Sequence, residues 1–179
     1  MMKKGFTHES TYNESKEWYT PKYIFDALGL EFDLDPASPG VDIVPWIPAR
    51  HHLTCLNNGL ITPWKGKVWL NPPYGSDTPK WLKNLATTRN GIALVFSRTD
   101  TKWFHDYAVL ADVICFMEGR VKFIKADKAK DYAMDKTTNS GTPGAGSLLL
   151  AYGDECAAAL IKAKLGFTID NRFIKKKGK

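Results

Sequence analysis

Asn71-Pro72-Pro73-Tyr74, directly after the apolar run Val68-Trp69-Leu70, is the stretch of this chain best equipped for chemistry. Asn71 precedes a proline, which pushes its backbone to extended geometry, while Pro72 and Pro73 fix their own φ and donate no backbone N–H. The product is a stiff turn with free carbonyls. It offers an amide oxygen, a proline carbonyl and a flat aromatic ring, a set suited to a planar amine. The two acceptors take both hydrogens of an exocyclic NH2, and Tyr74 stacks on the ring that carries it. Such an amine is a poor nucleophile because its lone pair is delocalised. Hydrogen bonds that draw the nitrogen toward tetrahedral geometry localise that pair for attack on an electrophile, favouring the transition state in particular.

A turn of this kind needs a strand to aim it. KVWL reads as that strand, and in an open α/β sheet the ligand crevice lies beyond the carboxyl ends of the strands. Behind the turn a helix is expected, with Thr78 as cap, Pro79 in the first position and Trp81, Leu82 and Leu85 as its buried face. Upstream, TPKYIFDALGL carries a helix signature: Thr20 as cap, Pro21 at the first position, Ile24, Ala27 and Leu28 on one face, and Gly29 as terminator. EFDLD alternates into a short strand, and residues 36–66 show few clear elements. IALVFS is a continuous apolar run, as expected of a central parallel strand. TKWFHDYAVL reads as a helix, DVICFM, GRVKFI and SLLLAYG as strands, and DECAAALIKAKL as the final helix. The alternation predicts a three-layer α/β fold whose sheet is mostly parallel with an antiparallel edge strand.

At 179 residues, 44% hydrophobic and 25% charged, the chain is of single-domain size and ordinary globular composition. The division expected is a loose arm over 1–16, a domain over 17–170 and a basic tail over 171–179. The polar start MMKKGFTHES and the lack of a long apolar window lead us to expect a cytoplasmic protein. Three widely spaced cysteines, without a CxxC pair, argue against a disulfide scaffold and against a metal site. A formal net charge of +6 favours a polyanionic partner. No obligate protein partner is predicted.

The motif and its neighbours resemble the DNA N-6-adenine-methyltransferases of phages and prophages, the phage Dam family. The likeness runs from about residue 17 to 152 through EWYTPKYIFDAL, FDLDPAS, NGL with PWKGKVWLNPPY, ALVFSRTDTKWFHD, ICFMEGRVKF and a strand containing Ser147. It implies a Rossmann-like methyltransferase fold and transfer of a methyl group from S-adenosyl-L-methionine to N6 of a flipped-out adenine, with Asn71, Pro72, Pro73 and Tyr74 as catalytic residues. It further implies donor contacts from Trp18, Thr20 and Pro21. Either or both of Asp33 and Asp35 become contacts to the donor's amino or ribose groups, with Pro36 and Ala37 shaping the loop. A carboxylate at a strand's carboxyl end suits both roles. The chain departs from its relatives at Asn57-Asn58-Gly59-Leu60, where an acidic residue often precedes Gly-Leu. The resemblance therefore carries no contact from that loop to the donor's adenine ring.

For DNA, the candidates are Arg98, Arg120, Lys122, Lys125 and Lys128. Arg98 and Asp100 either line a pocket or form a surface pair, and His105 reads as a surface or packed histidine rather than a general base. Residues 125–146, with Lys125, Lys128, Lys130, Tyr132 and Lys136 but also Asp127, Asp131 and Asp135, are either a target-recognition loop or a solvated one. With so few residues for recognition, specificity should be short or weak. Cytosine N4, RNA adenine and a protein glutamine are alternative substrates that the motif permits, and a non-catalytic nucleic-acid-binding relative is the alternative of another class. Protection of phage DNA from host restriction, in the host cytoplasm, is the biological role the resemblance implies.

Overall fold

The first residue pair with defined backbone pairing comes from the segment just before the first helix, and it sits apart from the main sheet. A computed structural model describes residues 17–134 and 144–175. In chain order the elements are β1 (Trp18–Tyr19), α1 (Lys22–Leu28), β2 (Phe32–Asp35), β3 (Ala49–His52), β4 (Val68–Leu70), α2 (Thr78–Thr88), β5 (Gly91–Phe96) and α3 (Lys102–Asp106). They continue with β6 (Val113–Met117), β7 (Ile124–Lys125), α4 (Ala129–Ala133), β8 (Ser147–Tyr152), α5 (Asp154–Ala163), β9 (Gly166–Asp170) and α6 (Asn171–Lys175). The local signals for α1 and α2 act one residue away from the expected positions. Pro21, in extended conformation, precedes α1 and Asp77, already helical, precedes α2, while Gly29 ends α1 in the left-handed conformation at φ 60°.

A seven-stranded mixed sheet in the order β3-β2-β4-β5-β8-β6-β9 forms the centre. β3, β2, β4 and β5 are parallel neighbours, so their carboxyl ends share one side. Helices cover both faces. Ile92 and Leu94 of β5 pack with Ile24, Phe25 and Leu28 of α1 and with Cys156, Ala157 and Leu160 of α5. Ala93 and Val95 point the other way, toward Trp81, Leu82 and Leu85 of α2. Three layers follow.

The antiparallel part is larger than a single edge strand. β8 lies inside the sheet, antiparallel to both β5 and β6, and β9 is antiparallel to β6 at the edge. The cause is the segment after β6. GRVKFI does not form a full strand: only its last residue, Ile124, belongs to one, which continues into Lys125 and pairs with β1. The chain therefore stays at the carboxyl end of the sheet and re-enters from there, which requires an antiparallel return. β3 was not legible because ARHH has no apolar alternation and pairs only at the edge. Nor is α5 the final helix, since β9 and α6 follow it.

The sheet's opposite end is tied by one buried carboxylate. Asp112, 8% exposed, accepts from Arg89 Nη2 at 2.7 and 2.9 Å and from the Gly153 backbone N–H at 2.8 Å. Asp112→Ala leaves the Gly153 N–H and the guanidinium without that acceptor. A loss of about 1–3 kcal/mol is expected, read as a lowered urea midpoint; an unchanged midpoint refutes the role.

Candidate active site

A cavity of about 660 Å³ opens where β2 and β4 end, and it gathers three separate stretches of sequence: Trp18–Thr20, Asp35–Pro39 and Asn71–Tyr74. Asn71 follows the last residue of β4, so a fully buried strand places its side chain at the crevice. The Asn71 amide is oriented by its donors: Nδ2 gives a hydrogen bond to the Trp18 carbonyl at 2.7 Å. A carbonyl only accepts, so the nitrogen must face it and Oδ1 is kept as the acceptor. Tyr74 Oη approaches that Oδ1 at 3.3 Å and the Leu94 carbonyl at 3.4 Å. Burial pushes the Tyr74 phenol well above its ordinary pKa, so it stays protonated.

The turn is held from behind. Thr78 Oγ1 donates to the Pro73 carbonyl at 3.2 Å and accepts from the Gly75 N–H at 3.1 Å. Among the described residues none donates to the Pro72 carbonyl. The Tyr74 ring stacks on Phe96, the last residue of β5, with centroids 3.8 Å apart and planes 13° apart. Phe96 in turn meets Phe123 edge-on at 6.3 Å.

On the β2 side the two aspartates separate. Asp35 is 3% exposed and lines the cavity. Asp33 does not: its Oδ2 accepts from the Lys67 backbone N–H at 2.8 Å, and Arg50 lies 3.5 Å from its carboxylate. Desolvation raises the Asp35 pKa to about 7, against the lowering effect of the Ala37 N–H. Beside it Ser38 Oγ is 2.8 Å from His52 Nδ1, and His52 Nε2 is 3.0 Å from the Ala49 carbonyl. The carbonyl fixes the proton on Nε2, so Nδ1 accepts from Ser38. Burial lowers the His52 pKa and keeps the ring neutral.

Thr20, fully buried in the cavity wall, has an Oγ1 without a partner among the described residues. Pro21 stands outside the lining, with its carbonyl accepting from the Ile24 N–H at 3.3 Å. Pro36 and Ala37 do line the cavity, together with Ile43, Ile47, Leu53 and Trp81. So do Asn58 and Gly59, which the departure at Asn57-Asn58-Gly59-Leu60 had left without a role. A Cβ on Gly59 would fall 2.0 Å from the Pro36 carbonyl oxygen, so only glycine lets this loop cross the Asp35–Pro36 turn. Ser38 and Trp81 were missed as cavity residues, and so was His52, which stands behind Ser38. Their proximity arises from the parallel pairing of β2 with β3, in which Asp35 faces His52, and from the packing of α2.

Residues 8–142 match the family model described as DNA N-6-adenine-methyltransferase (Dam). The chain belongs to this family. Curated proteins and solved structures yield no match to it.

The cationic residues of this Dam-family protein do not share the cavity lining. Arg98 is exposed on the turn after β5, where its carbonyl accepts from Thr101, and no ion pair joins it to Asp100 among the described residues. Arg120 and Lys122 are exposed while Val121 and Phe123 between and after them are buried. Lys125 Nζ sits 5.6 Å from the centroid of the Trp18 ring, a cation–π contact. Lys128 lies 3.8 Å from Asp127. Tyr132, on α4, accepts from the Lys22 N–H at 2.8 Å and packs against Trp46, docking this part of the loop on the start of α1. Lys136 and Asp135 lie outside the described residues. His105 is exposed on α3.

Proposed function

We propose that this protein transfers a methyl group from S-adenosylmethionine to N6 of adenine in DNA. The observation that carries the reading is the Asn71 amide, held by the Trp18 carbonyl so that Oδ1 remains an acceptor at the mouth of a strand-end cavity. The fold in this reading is the Rossmann-like methyltransferase type. Residues 17–170 make the catalytic domain, 1–16 an arm and 171–179 a basic tail, and the protein works in the cytoplasm.

The cavity suits the donor in size, since small-molecule sites span roughly 300–1,000 Å³. Its apolar wall, a buried carboxylate and the unpartnered Thr20 hydroxyl match a molecule with a flat ring, hydroxyls and a cationic amino acid group. Asp35 would hold the ammonium or a ribose hydroxyl, Thr20 Oγ1 a second polar group, and Trp81 with Ile43 and Ile47 the apolar part. Bound S-adenosylmethionine supplies an electrophilic methyl group.

The chain's own residues prepare the acceptor. Asn71 Oδ1 and the Pro72 carbonyl accept the two hydrogens of the adenine amine and localise its lone pair. Tyr74, backed by Phe96, gives the base a ring face to stack on. The extra proton leaves the nitrogen after methylation, so no dedicated base is needed. A duplex base must be flipped out to reach this turn, at a cost of a few kcal/mol that stacking and phosphate contacts offset. Arg98, Arg120, Lys122, Lys125 and Lys128 are the candidates for those contacts.

Purified protein incubated with tritiated S-adenosylmethionine and unmethylated DNA, then digested to nucleosides and chromatographed, should place label in N6-methyldeoxyadenosine. Label in N4-methylcytosine instead, or none with proven donor binding, overturns the reading. Within it, Lys122→Ala weakens DNA binding across sequences and reduces the slope of log K against log salt by about one. Fluorescence titrations at several salt concentrations measure this, and an unchanged slope removes Lys122 from the interface.

A further inference from the structure

We propose that Phe123 is a positioning residue for the reaction, a single buried ring that sets Asn71 through Trp18 and Tyr74 through Phe96. This inference rests on the function proposed above. Phe123 is 1% exposed. It meets the Trp18 ring edge-on at 6.5 Å and the Phe96 ring edge-on at 6.3 Å, with interplanar angles of 76° and 81°. From Trp18 the path to the motif is the 2.7 Å hydrogen bond between its carbonyl and Asn71 Nδ2. From Phe96 it is the 3.8 Å stack on Tyr74. The backbone reinforces the first branch, because Trp18 pairs with Lys125 and Tyr19 with Ile124, immediately after Phe123.

The same short stretch has two faces. Arg120 and Lys122 are exposed, whereas Val121 and Phe123 are buried, so a segment that presents cations outward presses a ring inward against the supports of both reacting residues. Neither support is local in sequence: β1 and β5 each reach the motif from elsewhere in the chain, and Phe123 is where they meet. Displacing that ring lets the Trp18 carbonyl and the Phe96 plane shift independently. Reacting geometry is sensitive to such shifts, a misplacement of about 1 Å costing up to about 10²-fold in rate.

The test is Phe123→Leu in the full chain, with Phe96→Leu alongside it. In Phe123→Leu, kcat for DNA methylation should fall about tenfold or more while the donor Kd and the KM for DNA stay within about twofold. In an Asn71→Ala background the same substitution should cost clearly less than in the wild type, because only the Tyr74 branch is left for it to act through. The Asn71 side-chain amide supplies a readout that needs no substrate. By NMR its hydrogen-bonded proton should exchange slowly in the wild type, faster in Phe123→Leu and unchanged in Phe96→Leu, which breaks only the Tyr74 branch. If Phe123→Leu does not fold, the milder Phe123→Met takes its place with the same expectations. An Asn71 amide indifferent to Phe123, a loss confined to the KM for DNA, or an equal loss in the Asn71→Ala background overturns the proposal. A wild type that methylates no DNA while its Asn71 amide does respond to Phe123 overturns the proposed function and leaves the positioning intact.

Discussion

Asn71→Ala should lower kcat for DNA methylation by about 10²–10³-fold, the range found when a single preorganised group is removed from a developing charge. Two contacts disappear together. Oδ1 no longer accepts from the amine, and Nδ2 no longer donates to the Trp18 carbonyl. The Pro72 carbonyl remains as one acceptor, which is why activity is reduced and not erased. Donor affinity should hardly change, since Asp35, Thr20 and the apolar wall of Ile43, Ile47 and Trp81 come from other segments of the chain. Asn71→Asp is the sharper control. It keeps an acceptor but sets a carboxylate against the Trp18 carbonyl, so the side chain turns away and activity stays low. Steady-state tritium transfer with equilibrium dialysis of the donor separates these effects. A variant within about fivefold of the wild type, well short of the range expected, would show that Asn71 is not the reacting motif's main acceptor.

Asp35→Asn should act in opposite directions on stability and on donor binding. In the folded protein burial raises the Asp35 pKa to about 7, against roughly 4 in the unfolded chain. The folded state therefore holds an extra proton between these values, and the group's contribution makes stability fall as pH rises from about 4 to about 7, levelling off above. A rise from about 4 to about 7 corresponds to about 4 kcal/mol. The asparagine amide has no such ionisation. The variant should match the wild type near pH 4 and be the more stable protein at pH 8. His52, whose pKa burial lowers, contributes with the opposite sign in acid, and comparison at each pH between the two proteins cancels most of it.

Binding of a cation or hydroxyl donor beside Asp35 favours the carboxylate. Uptake of S-adenosylmethionine by the wild type near pH 6 should therefore release up to one proton, and affinity should rise up to about tenfold per pH unit until pH 7. In Asp35→Asn both the proton release and the pH dependence vanish, and affinity drops about 10-fold or more from loss of the charge-assisted bond. Calorimetry in two buffers of different ionisation heat reads the proton count, and urea titrations at pH 4 and pH 8 read stability. A wild type that binds the donor without proton release at pH 6 would place Asp35 outside the donor contacts.

How much of this was legible beforehand differs from element to element. KVWL and IALVFS announce buried strands because both sheet faces are covered, leaving no polar alternation. Pro21 and Pro79, through their fixed φ, and Gly29, through its tolerance of positive φ, punctuate α1 and α2 to within a residue. GRVKFI carries an equally good strand pattern, yet only its last residue, Ile124, enters a strand, which continues into Lys125 and pairs with the edge offered by Trp18 and Tyr19. ARHH shows no pattern at all and is a strand, because β2 offered it an edge.

By itself the sequence determined what depends on near neighbours: the stiff Asn-Pro-Pro-Tyr turn after a buried strand, the punctuation of the flanking helices, and the ordered motifs that identify the Dam family. Only the tertiary structure decided that Asp35 and not Asp33 faces the cavity, that Ser38 and His52 stand beside it, that β8 returns antiparallel inside the sheet, and that Phe123 lies beneath the supports of both Asn71 and Tyr74. Each of these is a contact between segments distant in the chain. Local propensity sets the conformation of a segment, but which partner it meets is settled by competition among all the edges and apolar faces present at once.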